Sequence, residues 1–322
     1  MTESNEGLCS ALLAVRPHFD DLVSDTDGID EFCSSPDWII PLHRTFGSGE
    51  LVVACTADAA VALALRPGPQ GHNLLCGIDT VWGYARPVVG PGIDSGIDLL
   101  DQVLQDHRHH VLAVVLTGVD GTGRFAARLV ERFGHRLVAT SEPVGRRIAD
   151  LSEGPDAYMA RRARSFRRNA RQAQRRAEDS GVSFEWISGG GAEVVERAMR
   201  TEALSWKGQQ GSGLADVEFA RFYREIATGL APTARLRAGF ARRDGRDIGY
   251  ILGARRRVSY RGLQLAYAEE ARSLSIGNLL QLGQIRRLAH EGVTRYDLGQ
   301  DIAYKAAWSD YLSVTDTMVL RT

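Results

Sequence analysis

The sequence predicts an α/β protein of two domains, each with a mixed central sheet flanked by helices, and three observations carry that expectation. At 322 residues the chain exceeds what one hydrophobic core usually supports. The same order of elements occurs twice: ELVVACTADAAVALAL reads as two strands around a tight turn at Asp58, and ARLRAGFARRDGRDIGYILGA reads the same way around Asp244-Gly245. Each hairpin is followed by a strand, a helix and a final strand, and the spacing from Asp58 to Val114 nearly equals that from Asp244 to Asp297. The halves share this pattern without strong sequence identity. A polar stretch, VGRRIADLSEGPD, punctuated by Gly154 and Pro155, marks the boundary, giving an N-terminal domain over 1–150 and a C-terminal domain over 151–322.

Composition bounds the function. Apolar residues make up 44% and charged residues 25%, as in a globular protein. No apolar run approaches the roughly 20 residues of a membrane span, and MTESNEGLCSALLAV lacks the basic start of a signal peptide, so a cytoplasmic protein is expected. Cys9, Cys33, Cys55 and Cys76 show no C-x-x-C spacing, which indicates neither zinc nor a disulfide framework. The net charge of −1 predicts no anionic partner for the molecule as a whole, so any such partner must be read from local charge.

The strongest local charge lies in RRARSFRRNARQAQRRA, residues 161–177, with eight arginines and no acid. Arg161, Arg164, Arg168, Arg171 and Arg175 recur at steps of three and four and share one helix face, while Ala163, Phe166, Ala170, Ala173 and Ala177 form a small apolar face on the other side. The arginine face is either solvated surface or a track for phosphates, which arginine binds bidentately. No aromatic residue interleaves it, so base stacking is not implied. Gly118-Val-Asp-Gly121-Thr-Gly123, after the strand VLAVVL, reads as an ordinary turn with Asp120 or Thr122 as helix cap. His107, His109 and His110 lack a distant partner and read as a solvated helix end; no metal is expected. There is no G-x-S-x-G elbow or Cys/His nucleophile pattern, which disfavours covalent catalysis through the protein.

Near the C-terminus QLGQIRRLAHEG reads as a helix stopped by Gly292, followed by a strand that ends in Asp297-Leu298-Gly299 and a polar loop holding Tyr304-Lys305. This ending resembles the Fem-like and BioF2-like branch of the GCN5-related acetyltransferase (GNAT) superfamily, in which Gly-x-x-x-(Phe/Tyr)-Asp-(Phe/Leu)-Gly precedes a Tyr-Lys pair. Ser165-x-Arg167-Arg168-Asn169 and Glu202-x-x-Ser205-Trp206-Lys207-Gly208 are similar to two further segments of that family, in the same order. The resemblance covers residues 156–322; the first half shares only Trp38, the hairpin and Tyr84-Ala85-Arg86-Pro87. It implies tandem GNAT-like domains with the active cleft between them or within the second.

The resemblance implies an acyltransferase that joins an acyl group to a small-molecule or peptide amine. Direct attack by an amine needs the amine neutral, donors for the oxyanion and a proton for the leaving group. By carry-over, Lys305 is the cation for the oxyanion or a donor phosphate, and Tyr304 is the proton donor or a partner packed on Trp308. Trp206, Lys207, Tyr267, Tyr250 and Asp297 are the expected substrate-binding residues, with plain packing as the alternative for the aromatic ones. GNAT enzymes that use coenzyme A carry (Gln/Arg)-x-x-Gly-x-(Gly/Ala) after the fourth strand; here the place reads Arg272-Ser-Leu-Ser-Ile-Gly277-Asn, with one glycine kept. Ser273, Ser275 and Asn278 can still cap the helix and donate to phosphate. The lost glycines and the arginine helix favour aminoacyl-tRNA as donor, held by Arg164, Arg167, Arg168, Asn169, Arg171, Arg175, Ser273 and Gly277. Acyl-CoA is the alternative, and a non-catalytic binder of an anionic polymer is a third reading. No permanently bound cofactor is expected.

Overall fold

The computed structural model describes Gly7 and residues 9–322, which divide into two compact units. The first comprises the described residues up to Gly145 together with Val314–Thr322. Three helices, α1 (Ser10–Ala14), α2 (Arg16–Ser24) and α3 (Pro36–Phe46), lead into the hairpin of β1 (Leu51–Cys55) and β2 (Ala60–Pro67). Then follow β3 (Asn73–Gly77), the short β4 (Val88–Val89), α4 (Ile93–His107), β5 (Val111–Val119), α5 (Arg124–Phe133) and β6 (Leu137–Thr140). β1, β2 and β3 pair antiparallel, β3 and β5 parallel, and β5 pairs antiparallel with the chain's last strand, β13 (Tyr311–Arg321), through Asp316–Arg321. In α5, Phe125, Ala126, Leu129 and Phe133 are buried, a stripe at helical spacing that packs with Leu100 and Leu104 of α4 over the sheet residues Leu63, Leu75 and Val114.

The second unit is Arg146–Ser313. After β7 (Val144–Asp150) come α6 (Gly154–Ala160), α7 (Arg164–Asp179), β8 (Ser183–Ser188), α8 (Ala192–Glu202), α9 (Trp206–Gln209) and α10 (Val217–Leu230). They are followed by β9 (Leu236–Arg243), β10 (Arg246–Arg256), β11 (Ser259–Tyr267), α11 (Ile276–His290) and β12 (Arg295–Gln300). The order across the sheet is β7, β12, β11, β10, β9, β8, with only β11 and β12 parallel. The β9–β10 turn places Asp244 and Gly245 at φ 52° and 75°, the double left-handed conformation that closes a two-residue hairpin in register with strand twist. Along β10, Gly249 lies against Ile276 and Leu280 of α11, whereas Tyr250 points to the other face and meets Glu202 of α8.

The repeated hairpin, strand, helix, strand order is present in both units, with β1, β2, β3, α4, β5 in one and β9, β10, β11, α11, β12 in the other. The contiguous domains 1–150 and 151–322 are corrected at both ends. The strand that pairs with β5 is supplied by the chain's last residues, and the strand that pairs with β12 is supplied by Arg146–Asp150. In each unit an outer strand edge exposed by the parallel pair is satisfied from the other half of the sequence, because an unpaired row of N–H and C=O groups is costly to bury.

Candidate active site

β11 and β12 pair in parallel only from Ser259↔Arg295 to Arg261↔Asp297; beyond that β11 runs on to Tyr267 without β12. β12 is drawn instead toward β7, with a register shift between Asp297 and Gln300 around Gly299 at φ 84°. The divergence opens a cavity of about 580 Å³ in the second unit. Its walls come from the end of β11 (Gln264, Tyr267), the first turn of α11 (Ser275, Gly277, Asn278), α9 (Trp206, Lys207) and the loop after β12 (Ile302, Tyr304, Lys305).

The Lys305 Nζ lies over Gly299, 3.3 Å from where a β-carbon would stand, a tight approach at a residue whose φ of 84° favours glycine. It sits 5.9 Å from the centre of the Tyr304 ring. Burial and then the Arg261 guanidinium push the Lys305 ammonium down to about 8, with Lys207 adding repulsion and Asp297 and Asp301 opposing the shift. Lys207 Nζ donates to the carbonyl of Leu265 at 3.1 Å and to Gln264 Oε1 at 3.4 Å. Burial lowers its pKa too, offset in part by the Glu202 carboxylate. Trp206 is 49% exposed and Tyr304 63% exposed, both at the rim.

Two expected substrate residues stand elsewhere. Asp297 is buried in an ion-pair cluster: Oδ2 accepts from Arg146 at 2.6 Å, and Oδ1 accepts from Arg261 at 2.7 Å and from the Gly299 N–H at 2.8 Å. Its carboxylate is consumed in clamping β7, β11 and β12 at the root of the divergence, and it does not line the cavity. Tyr250 is fully buried and donates to Glu202 Oε2, whose other oxygen accepts the Leu214 N–H; it supports the floor from behind. Tyr267 lines the cavity, and Gly277 packs against its ring, which a β-carbon there would approach to 3.1 Å.

The arginine helix begins at Arg164, so Arg161 falls in the turn before it, paired with Asp310 and Glu153. Of the expected small face, Ala173 and Ala177 are in the core and Phe166 and Ala170 are half-buried, whereas Ala163 is exposed because it caps the helix rather than lying within it. Arg164, Arg168, Arg171 and Arg175 are exposed, have no ion-pair partner among the described residues and do not line the cavity. Arg167 donates to the Ala160 carbonyl. Asn169 borders a second groove of about 430 Å³, between α7 and the first turn of α11, which shares Ser275, Asn278, Tyr304 and Trp308 with the cavity. Arg176, from the other side of α7, lines that groove and reaches Ser275 Oγ at 3.4 Å. Ser273 is exposed and off the cavity; Ser275 and Asn278 occupy the position expected of it. Trp308 packs edge-on against Phe166 at 4.7 Å, leaving Tyr304 at the rim.

Sequence reasoning missed Gln281, which borders the cavity with its Nε2 buried beside the Tyr296 hydroxyl, and it missed Arg146 and Arg261 behind the wall. One signal was available. Of 39 basic residues only Lys207 and Lys305 are lysine, and both line this cavity. In the first unit the place where β3 and β5 part is filled by the segment 79–86: Asp79 accepts from the N–H groups of Trp82, Tyr84 and Ala85, and Thr117 of β5 donates to the Ala85 carbonyl at 2.8 Å.

Residues 164–306 match the family described as acetyltransferase (GNAT) domain, so the second unit carries a GNAT domain. Its fold is shared along nearly the whole length with FemX (12% identity, 94% of this chain and 95% of that one, TM-score 0.69). It is likewise similar to a protein of unknown function from Bacteroides thetaiotaomicron (13%, 96% and 97%, 0.67) and to the lysylphosphatidylglycerol synthetase of Bacillus licheniformis (11%, 94% and 90%, 0.58). Among curated proteins none matches the chain. No described helix is long and apolar enough to cross a membrane.

Proposed function

We propose that the protein moves an aminoacyl group from aminoacyl-tRNA onto an acceptor amine, forming an amide in the cavity where β11 and β12 part. The observation that carries this reading is the half-buried Lys305 over Gly299 in a cavity open at an aromatic rim. An ammonium held there, partly withdrawn from water, stabilises the oxyanion that forms on the donor carbonyl, where its charge acts more strongly than in solvent. Tyr304, beside it at the rim, supplies the proton of the leaving group. The exposed arginines of α7 support a polyanionic donor, since each phosphate contact releases counterions. They lie outside the cavity, as befits a donor far larger than the cavity itself. A reaction fed by charged tRNA or by coenzyme A places the protein in the cytoplasm.

A thioester of coenzyme A is the second reading, favoured by the first turn of α11, where Gly277 and Ser275 border the cavity and unpaired helix N–H groups suit a phosphate. Mass spectrometry of reactions with charged tRNAs and, separately, acyl-CoAs separates the two. With tRNA as donor, replacing Arg164, Arg168 and Arg171 together by Gln weakens donor binding and flattens its log–log salt slope by about 0.7–0.9 per lost contact. Unchanged salt dependence together with robust acyl-CoA turnover returns the donor to coenzyme A. A wild-type protein that transfers nothing from either donor, yet binds charged tRNA no better than its Lys305→Ala variant does, is a binder and not an enzyme.

A further inference from the structure

Arginine supplies every cation of this chain but two, and the two exceptions face one cavity. Where only a positive charge is wanted, arginine serves, as the rest of the sequence shows. What lysine offers and arginine does not is a proton it can lose near neutral pH, because the guanidinium stays charged under all ordinary conditions whereas a buried amine shifts readily. An amine acceptor arrives as an ammonium and must be deprotonated before it attacks. Among the described residues that line the cavity there is no aspartate, glutamate or histidine, and the remaining titratable groups are tyrosines and Arg272. The proton acceptor is therefore a lysine or solvent.

The surroundings divide the two amines. Lys207 is also pushed down by burial, but it places two of its protons on the Leu265 carbonyl and Gln264 Oε1 and has the Glu202 carboxylate behind it, contacts that favour the ammonium and that Lys305 lacks. The Lys305 ammonium forms no hydrogen bond and no ion pair among the described residues. The charged groups around it are Arg261 on β11, Asp297 on β12, Lys207 on α9 and Asp301 in its own loop, with the Tyr304 ring alongside. Asp297 is already shared by Arg146 and Arg261, so the cluster beneath Lys305 carries a surplus positive charge.

We propose that Lys305 enters the reaction uncharged and is the base that takes the proton of the incoming ammonium, while Lys207 is the cation that stays. The inference rests on the acyl-transfer reading and adds a catalytic step to it. Neutral Lys305 accepts one proton from the acceptor's ammonium. The freed amine attacks the acyl carbon, a C–N bond forms, and the bond from that carbon to the ester oxygen or thioester sulfur breaks. Lys305, now an ammonium, stands beside the oxyanion while it exists, and its proton then passes to the leaving oxygen or sulfur directly or through Tyr304. The second proton lost by the nitrogen goes to water. Deprotonation thus creates the stabilising charge at the moment the oxyanion develops.

Because the chain has two lysines, lysine-selective ¹³C labelling gives a two-signal spectrum, assigned with Lys207→Arg, that needs no turnover. The expected result is Lys305 half-titrated near pH 8 with Lys207 charged to higher pH. In turnover assays Lys305→Arg keeps a cation and removes the base. It should lose about 10²–10⁴-fold with an ordinary amine and recover with hydroxylamine, which is uncharged at neutral pH. Lys305→Gln is the companion variant should arginine not fit over Gly299; it too should regain turnover with hydroxylamine relative to an ordinary amine. A Lys305 signal that stays protonated above pH 10, or a Lys305→Arg enzyme close to wild type with ordinary amines, overturns the proposal. A wild type that transfers from no donor removes the acyl-transfer reading as well.

Discussion

Replacing Asp297 by Asn tests whether that residue is a clamp or a ligand contact, since its place in the Tyr296-Asp297-Leu298-Gly299 segment suggested the latter and its burial indicates the former. The side chain is 3% exposed and accepts from two guanidinium groups and one backbone N–H. Asparagine keeps a single acceptor oxygen and turns an NH₂ toward one of the arginines, donor against donor. Removing one partner of a buried ion pair costs about 3–5 kcal/mol, and here two buried cations lose their counter-charge, which argues for the upper part of that range. At roughly 2–4 °C per kcal/mol for a unit of this size, the melting temperature falls by about 10 °C or more. Urea denaturation is the assay: the midpoint should drop with an unchanged slope, as for a loss of stability without a change in the unfolded state. An Asp297→Asn protein of near-native stability that has lost turnover would refute the clamp and restore Asp297 to the substrate.

Three further outcomes follow from the same geometry. Tyr250→Phe leaves the fully buried Glu202 short of a donor and should cost about 1–3 kcal/mol, while turnover in the surviving folded protein changes little because Tyr250 is not in the cavity. Gly277→Val forces a branched side chain onto the Tyr267 ring, and overpacking of this kind costs about 1–3 kcal/mol; a rise in KM for the donor exceeding that of Gly277→Ala checks it. Lys305 is held down to about 8, so below that pH its half-buried ammonium destabilises the fold, and as pH climbs toward the ordinary lysine value the unfolded chain binds more protons and the cost fades. Lys305→Gln should therefore match or exceed wild-type thermal stability at pH 7, with the difference shrinking by pH 10.

The sequence by itself determined the elements and their repetition. Two hairpins with turns at Asp58 and Asp244-Gly245, the small buried face of α7, the stop at Gly292 and the lysine after the last parallel strand were all legible, because they depend on local periodicity and turn chemistry. It also named Lys305, Lys207, Tyr267, Tyr304 and Trp206, which do share one cavity. Tertiary structure alone decided the rest. Nothing local tells that β13 closes the first unit and Arg146–Asp150 the second, since strand partners are chosen by which edges remain unpaired. Nothing local tells that Asp297 meets Arg146 and Arg261, residues far apart in the chain, or that Tyr250 turns away from the cavity: β-strand alternation offers two faces, and only packing against α8 on one side and α11 on the other determines which is the site.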